Sequence, residues 1–323
     1  MKKTSIGGQA LLEGVMMRGP SKYAAVVRSP GGLLVKEEAA PYPKDRHPIL
    51  GWVFIRGVCN FVQSMSIGMK ALFWSADQTV AEGSNQEAEG GGKSGQKGIG
   101  KGTFAISMAL ALVLVVGLFT YLPTLLSGLI PAFQKPADAA ELPVHINFLR
   151  NLFETFLRLV ILLTYMLLVS QTKDIKRTFA YHGAEHKSIA CYEAGDELTV
   201  ENARKNSRFH PRCGTSFLLT VVLISMVVFL LISLPLQMLA WDNAFLRMGV
   251  RLALLPFVVA ISYEVNRLVG RSDNILSRIV RAPGLLMQRI TTREPDDGML
   301  EVALDALKRV VPAEEGRDAW GTE

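Results

Sequence analysis

Residues 103–130 read TFAISMALALVLVVGLFTYLPTLLSGLI. No side chain from Phe104 to Ile130 carries a charge, and the stretch exceeds the roughly 20 residues with which an α-helix crosses a bilayer. Phe148–Ser170, Ser216–Ala240 and Ala244–Val265 share this character, the last with Pro256 as a place for a kink. Of the 323 residues 49% are hydrophobic, and the mean hydropathy is +0.25. That is high for a water-soluble chain, and the excess sits in these blocks. The expected fold class is therefore mainly α: a polytopic membrane protein with about four transmembrane helices, carrying a small N-terminal β unit.

The flanks of the spans set an expected orientation. Residues 171–215 hold Lys173, Lys176, Arg177, Lys187, Arg204, Lys205, Arg208 and Arg212, and the segment after the fourth span holds Arg267, Arg271, Arg278 and Arg281. The other two connections offer only Lys135 and Arg247. The positive-inside rule then puts both termini and residues 171–215 in the cytoplasm, making this a multi-pass protein of the cytoplasmic (inner) membrane. The net charge of +6 belongs to this asymmetry. Repeats of aromatic and basic residues that would hold a single strand are missing, so membrane lipids are the expected partner and nucleic acid is not. Cys59, Cys191 and Cys213 are odd in number and widely spread, which suits a reduced, cytoplasm-facing protein without a disulfide framework. The opening MKKTSIGGQALLEG has a basic start but no apolar run of signal-peptide length.

Around the spans the chain divides by texture. Residues 1–46 read as the β unit, with strands at Ala10–Arg18, Tyr23–Arg28 and Leu33–Glu38 separated by Gly19-Pro20-Ser21 and Pro30-Gly31-Gly32. Three short strands cannot stand alone, so the unit must pack on something else, the histidine-bearing segment being the candidate. Residues 47–80 are apolar but diluted by Gly51, Gly57, Asn60, Gln63, Ser64 and Gly68, which favours an interfacial or re-entrant helix. Residues 81–102, rich in Gly, Glu, Lys and Ser, read as a flexible linker. Residues 103–170 hold the first two spans, 171–215 a cytoplasmic His/Cys loop, and 216–265 the other two spans. In the tail, 266–323, Asn274–Ile290 suits a membrane surface and is broken at Pro283-Gly284. A last helix opens near Thr292 with Pro295 in its first turn, and the end from Pro312 reads as frayed.

Three of the five histidines and two of the three cysteines, Cys191 and Cys213, fall within the 32 residues from His182 to Cys213. In Tyr181-His182-Gly183-Ala184-Glu185-His186-Lys187 the two histidines are four apart. On a helix their imidazoles stack on one face and can share a metal ion, with Glu185 on nearly the same face. H-x-x-E-H is the order in which one class of zinc peptidases sets two ligands and a water-activating glutamate. Alone, the pattern is better explained by two hydrogen-bonded histidines that bind nothing, since short patterns arise often by chance. His210-Pro211-Arg212-Cys213-Gly214 changes that balance, having the form of a zinc-knuckle turn with histidine in the first place. His182, His186, His210 and Cys213 together supply four ligands of the kinds zinc prefers. If all four bind, the site is closed and structural; if one stands aside, water can bind and Glu185 can act as general base.

Several other residues have plainer readings. Glu193 reads first as a solvated helix carboxylate and otherwise as a metal ligand or a partner of one, and Cys191 as a small core residue rather than a nucleophile. Glu13 and Arg18 could face the metal site or simply belong to a sheet edge. Glu154 and Arg158 in the second span, and Arg247 and Arg251 in the fourth, are accounted for by pairing and snorkelling. The sharper reading is an anionic headgroup or substrate at Arg158 and Arg251.

GGQALLEGVMMRGP, YHGAEHK, HPRCGTSF and APGLLMQRITTREPDDGMLEVA resemble the motifs of the YqhQ-like family (domain of unknown function 1385) of bacterial membrane proteins. The resemblance runs from about Gly7 to Leu307, over four separated motifs. Its members are regarded as metal-dependent enzymes, which implies the same His/Glu/His/Cys set and adds no substrate. The expected function is a membrane-integral, metal-dependent hydrolase, with zinc as cofactor. The alternative is a zinc-stabilised scaffold or assembly factor that docks another membrane protein; oligomeric state is left open.

Overall fold

The computed structural model describes residues 3–88, 101–134, 142–236, 244–272, 274–314 and 316–320. Among the described residues, four helical stretches are long and apolar enough to cross a membrane: Ala109–Gly128, His145–Val169, Gly214–Ile232 and Leu252–Arg271. The chain divides into two compact units, one of residues 1–90, 170–224 and 254–323, the other of residues 91–169 and 225–253.

The first unit is built on a four-stranded antiparallel sheet, β1 Gly7–Leu11, β2 Gly14–Arg18, β3 Lys22–Ser29 and β4 Gly32–Ala39, in sequential order. The single strand expected over Ala10–Arg18 is instead the end of β1, a two-residue turn and β2, the last part of a hairpin that starts at Gly7. Leu11 pairs with Gly14 across a two-residue turn in which Glu13 adopts φ 54°. A side chain at Gly14 would collide with the Val26 carbonyl of β3, so glycine is what lets the turn close here. Neither turn residue belongs to the Asn-Gly type that marks such hairpins in sequence.

Side chains alternate across the sheet, and both faces are covered. On one face Val15, Met17, Ala24 and Val26 join Tyr181, Ala184 and Ile189 of α6 (Lys173–Ala194) and Leu300, Ala303, Leu304 and Leu307 of α11 (Asp297–Val310). On the other face Leu11, Met16, Tyr23, Ala25 and Val27 pack on Ile67 and Ala71 of α2 (Ile55–Ala88). This double burial is why β2 and β3 read as runs of apolar residues without a polar alternation. The short α1 (Pro43–Arg46) and a 3-10 turn (Pro48–Gly51) lead into α2. Helix α2 leaves Val62, Met65, Met69 and Phe73 exposed on its outer side. It is tied to α9 (Ala244–Arg271) by an Arg56–Glu264 double hydrogen bond of 2.8 and 2.6 Å and by Asn60 donating to the Tyr263 hydroxyl at 2.9 Å. It runs on to Ala88, into the first part of the expected linker; residues 89–100 lie outside the described residues.

The tail departs from expectation in three places. Helix α10 (Ile275–Thr291) is continuous through Pro283-Gly284. Pro283 stands on the exposed side, and bare Gly284 lets the helix lie against Ser216. Helix α11 starts at Asp297, not near Thr292: Asp296 is its cap, accepting from Met299 N at 2.8 Å. Residues 292–296 form an extended strap on α6, fixed by Arg293 N donating to Phe179 O at 2.8 Å. The end is pinned rather than frayed: Ser5 N donates to Asp318 O at 2.6 Å and Trp320 N to Lys3 O at 2.8 Å.

In the second unit, α3 (Lys101–Val116) passes through a π-helical turn (Gly117–Tyr121) into α4 (Leu122–Gly128), followed by a 3-10 turn at Pro131–Phe133 and by α5 (Val144–Val169). Glu154 of α5 is buried between Arg150 and Arg158, each 3.2 Å away, and accepts from Ser127 Oγ at 2.8 Å. Arg158 also donates to Phe119 O at 3.1 Å, inside the π-helical turn. Pairing therefore accounts for Glu154 and Arg158; the side chains of Arg247 and Arg251 lie outside the described residues.

Two consequences can be measured. Gly183 of α6 faces the Arg293 carbonyl so closely that a Cβ would collide with it. Gly183→Ala is expected to displace the strap and lower stability by about 1–3 kcal/mol, read from thermal melting in detergent. Glu154→Ala leaves two guanidiniums without a counter-charge and is expected to cost roughly 3 kcal/mol in the same assay.

Candidate metal centre

Helix α6 sets the geometry of the centre. Gly195 ends it with φ 79°, and Asp196 N donates back to Cys191 O at 3.2 Å. The helical pitch puts His182 and His186 one turn apart with ring centroids 4.4 Å from each other. Cys213, the residue before α8 (Gly214–Leu236), comes up against them, with Sγ 3.2 Å from His182 Nε2. One ligand atom from each of His182, His186 and Cys213 lies within 4.8 Å of the others, and all three residues are buried.

The far nitrogens show how the rings are held. His182 Nδ1 donates to Thr291 O at 2.8 Å and His186 Nδ1 to Arg208 O at 2.5 Å. A carbonyl only accepts, so both Nδ1 atoms carry protons and both Nε2 atoms turn toward Cys213. His186 Nε2 and Glu185 Oε2 are buried without a hydrogen-bond partner. Such orphans are costly, and here two stand beside a histidine and a thiol. A cation with its own water would satisfy them. Glu185 is itself pressed against β1, where a Cβ on Gly8 would come within 2.9 Å of its carboxyl carbon.

The electrostatics agree with a cation-accepting cluster. Burial alone would raise the Cys213 thiol, but His186 and His182 outweigh it and hold the thiol well below its ordinary value. Thr215 adds its backbone N–H at 3.4 Å, from the first turn of α8. Burial alone would likewise lower His182; the Cys213 thiolate and Glu185 raise it to about 9. Burial raises the Glu185 carboxyl. The proton shared by His182 Nε2 and the thiolate is the one a metal would displace.

His210 stands beside this cluster, not in it. Its ring lies 5.7 Å from that of His186, and its Nε2 faces Glu193 Oε2 at 3.2 Å. Glu193 is buried, unlike the solvated carboxylate expected. It accepts from Thr4 N at 2.7 Å and from Arg212, and these contacts with His210 outweigh burial and hold it below the usual carboxylate range. Arg212 in turn sits over the Trp320 ring at 5.5 Å. Of the four expected ligands the structure thus brings three together and gives the fourth to a second polar centre. Cys191 is a fully buried core residue. Glu13 is held by Arg177, and Arg18 donates to Ser64 Oγ at 2.6 Å, so neither faces the cluster.

Sequence reasoning missed Gln288, which is fully buried. It accepts from His210 N and donates to His210 O, each at 2.8 Å, and donates to Ser216 Oγ at 2.9 Å, clamping the turn that delivers Cys213. It also missed Lys187, whose ammonium is buried and binds the carbonyls of Arg204 and Asn206 at 3.0 and 2.9 Å. Their signal was weak: a glutamine and a lysine one turn from other polar residues. The carbonyls of Thr291 and Arg208 carry no side-chain signal.

Residues 52–313 match the family model described as protein of unknown function (DUF1385). The chain is 33% identical, over 314 residues, to the uncharacterized protein YqhQ of Bacillus subtilis (strain 168), which covers 95% of this chain and 92% of that protein. No solved structure matches it significantly. The resemblance in the four motifs thus extends along nearly the whole chain, and the protein belongs to the YqhQ-like DUF1385 family.

Proposed function

We propose that this protein is a zinc-dependent hydrolase of the cytoplasmic membrane, with its centre and both termini on the cytoplasmic side. The observation that carries the reading is the pair of orphaned buried atoms, His186 Nε2 and Glu185 Oε2, beside His182 and Cys213. Two imidazoles and a thiolate form a donor set suited to zinc, and three protein ligands leave one position for water. Zinc bound there would act as a Lewis acid and make that water a nucleophile near neutral pH. His182 and His186 hold their Nε2 atoms toward the ion through the Nδ1–H bonds to Thr291 and Arg208. Glu185 is the proton acceptor, at Oε2, and passes the proton to the leaving group. The cytoplasmic placement rests on the basic residues of 171–215 and 267–281.

A second reading has an observation of its own. His182, His186 and Cys213 are all buried, as in a structural zinc site that staples α6 to the start of α8. The chain would then be a scaffold or assembly factor for other membrane proteins.

Zinc per chain, measured by elemental analysis after purification without chelator, is expected near one for the wild type and near zero for His186→Ala. A metal-free wild type sinks both readings. Glu185→Gln is expected to keep the metal and the melting temperature but to fail to complement a deletion strain; full complementation excludes the hydrolase. Cys213→Ser is expected to lower metal affinity on either reading. It lowers thermal stability by several kcal/mol only if zinc is a staple, since binding free energy is then folding free energy.

A further inference from the structure

Helix α10 is inside-out for a protein surrounded by water. Its 17 residues bury Ser277, Gly284, Gln288 and Thr291, which share one face. Ile275, Leu276, Ile279 and Leu286, on the other face, are 70%, 66%, 61% and 57% exposed. A helix on a soluble domain shows the opposite arrangement. Charge tells what covers the face: Arg278 and Arg289 are exposed along its border, and no acidic residue occurs between Ile275 and Arg293. Position tells the same. Helix α9 contains a candidate span ending at Arg271, and only residues 272–274 separate it from α10. Three residues reach about 10 Å at most, so α10 stays at the membrane surface.

The buried face leads to the metal centre. Thr291 O orients His182, and Gln288 clamps the backbone of His210. Gly284 lies on Ser216, three residues after Cys213. One helix therefore touches two of the cluster's three supports on one side and leaves an apolar stripe on the other.

We propose that α10 lies in the plane of the membrane, seated on an anionic lipid surface, and that this seat holds the wall of the metal centre. The seating stands on exposure, charge and the nearness of the α9 span; the effect on the centre rests on the zinc reading above. A lipid-seated α10 keeps Thr291 and Gln288 against His182 and the His210–Cys213 turn. Lifting it loosens both, and the ion is lost faster.

Two arms of one experiment test this on the full chain. A photoreactive diazirine residue replaces Ile279, and the protein is irradiated in vesicles of phosphatidylglycerol and phosphatidylethanolamine. Mass spectrometry is expected to find lipid adducts enriched in phosphatidylglycerol. Adducts to a second copy of the chain, or a water-quenched side chain, overturn the seating. Lipid adducts without headgroup preference overturn its anionic character. In the second arm, zinc loss to a chelator is followed for the unmodified wild type in phosphatidylglycerol-rich and in phosphatidylcholine vesicles. Loss is expected on the order of tenfold slower in the former, the scale on which supports of metal ligands act. Ile279→Asp and Leu286→Asp in phosphatidylglycerol should match the faster rate. Equal rates in all cases overturn the coupling and leave the seating to the first arm. A wild type without zinc in either lipid defeats the zinc reading instead, and the cross-linking result stands independently.

Discussion

The close approach of Gly183 to the Arg293 carbonyl is the contact on which the centre depends. Because α6 has no side chain there, the strap of residues 292–296 lies directly on the helix. The strap begins where α10 ends, so the same approach brings the Thr291 carbonyl to His182. From the other side, Gly8 allows β1 to press on Glu185. Two glycines thus let backbone reach the two faces of a helix that carries the chemistry. A rotation of that helix by one residue would remove both histidines from their carbonyls.

The sheet serves this placement. It is buried on both faces, between α6 and α11 on one side and α2 on the other. Alanine is frequent in both clusters, which permits close layers. The N-terminal β unit that could not stand alone is therefore the central layer of the first unit. Its partners come from three separate parts of the chain.

The spans were legible because a run of uncharged residues has one economical reading in a bilayer. The ligand cluster was legible in outline, since helical spacing alone stacks His182 on His186. His210 resisted: a ligand-type residue in a knuckle-like turn has the same spelling whether its ring faces an ion or a carboxylate. Only the position of Glu193, set by Thr4 and Arg212, decides which way the ring points. The hairpin at Leu12-Glu13 was missed for a comparable reason. Its left-handed residue is a glutamate, held by Arg177 from α6, and turn propensity contains no such tertiary partner. The α10 interruption was misread because a proline removes one backbone hydrogen bond and crowds one carbonyl, which a helix held by its buried face absorbs without ending.

The clasp between the chain's ends has a consequence for biosynthesis. Thr4 bridges to Ala319, and its backbone N–H is given to Glu193, whose other oxygen faces His210. The strands leave the ribosome before residues 316–320, with the four apolar spans of the described residues between them. The face that α6 and α11 cover must then wait, open, until the intervening helices have entered the membrane, whereas α2 precedes every span and can cover the other face at once. Closure of the first unit therefore follows insertion, and the Glu193–His210 contact gains its Thr4 support only then.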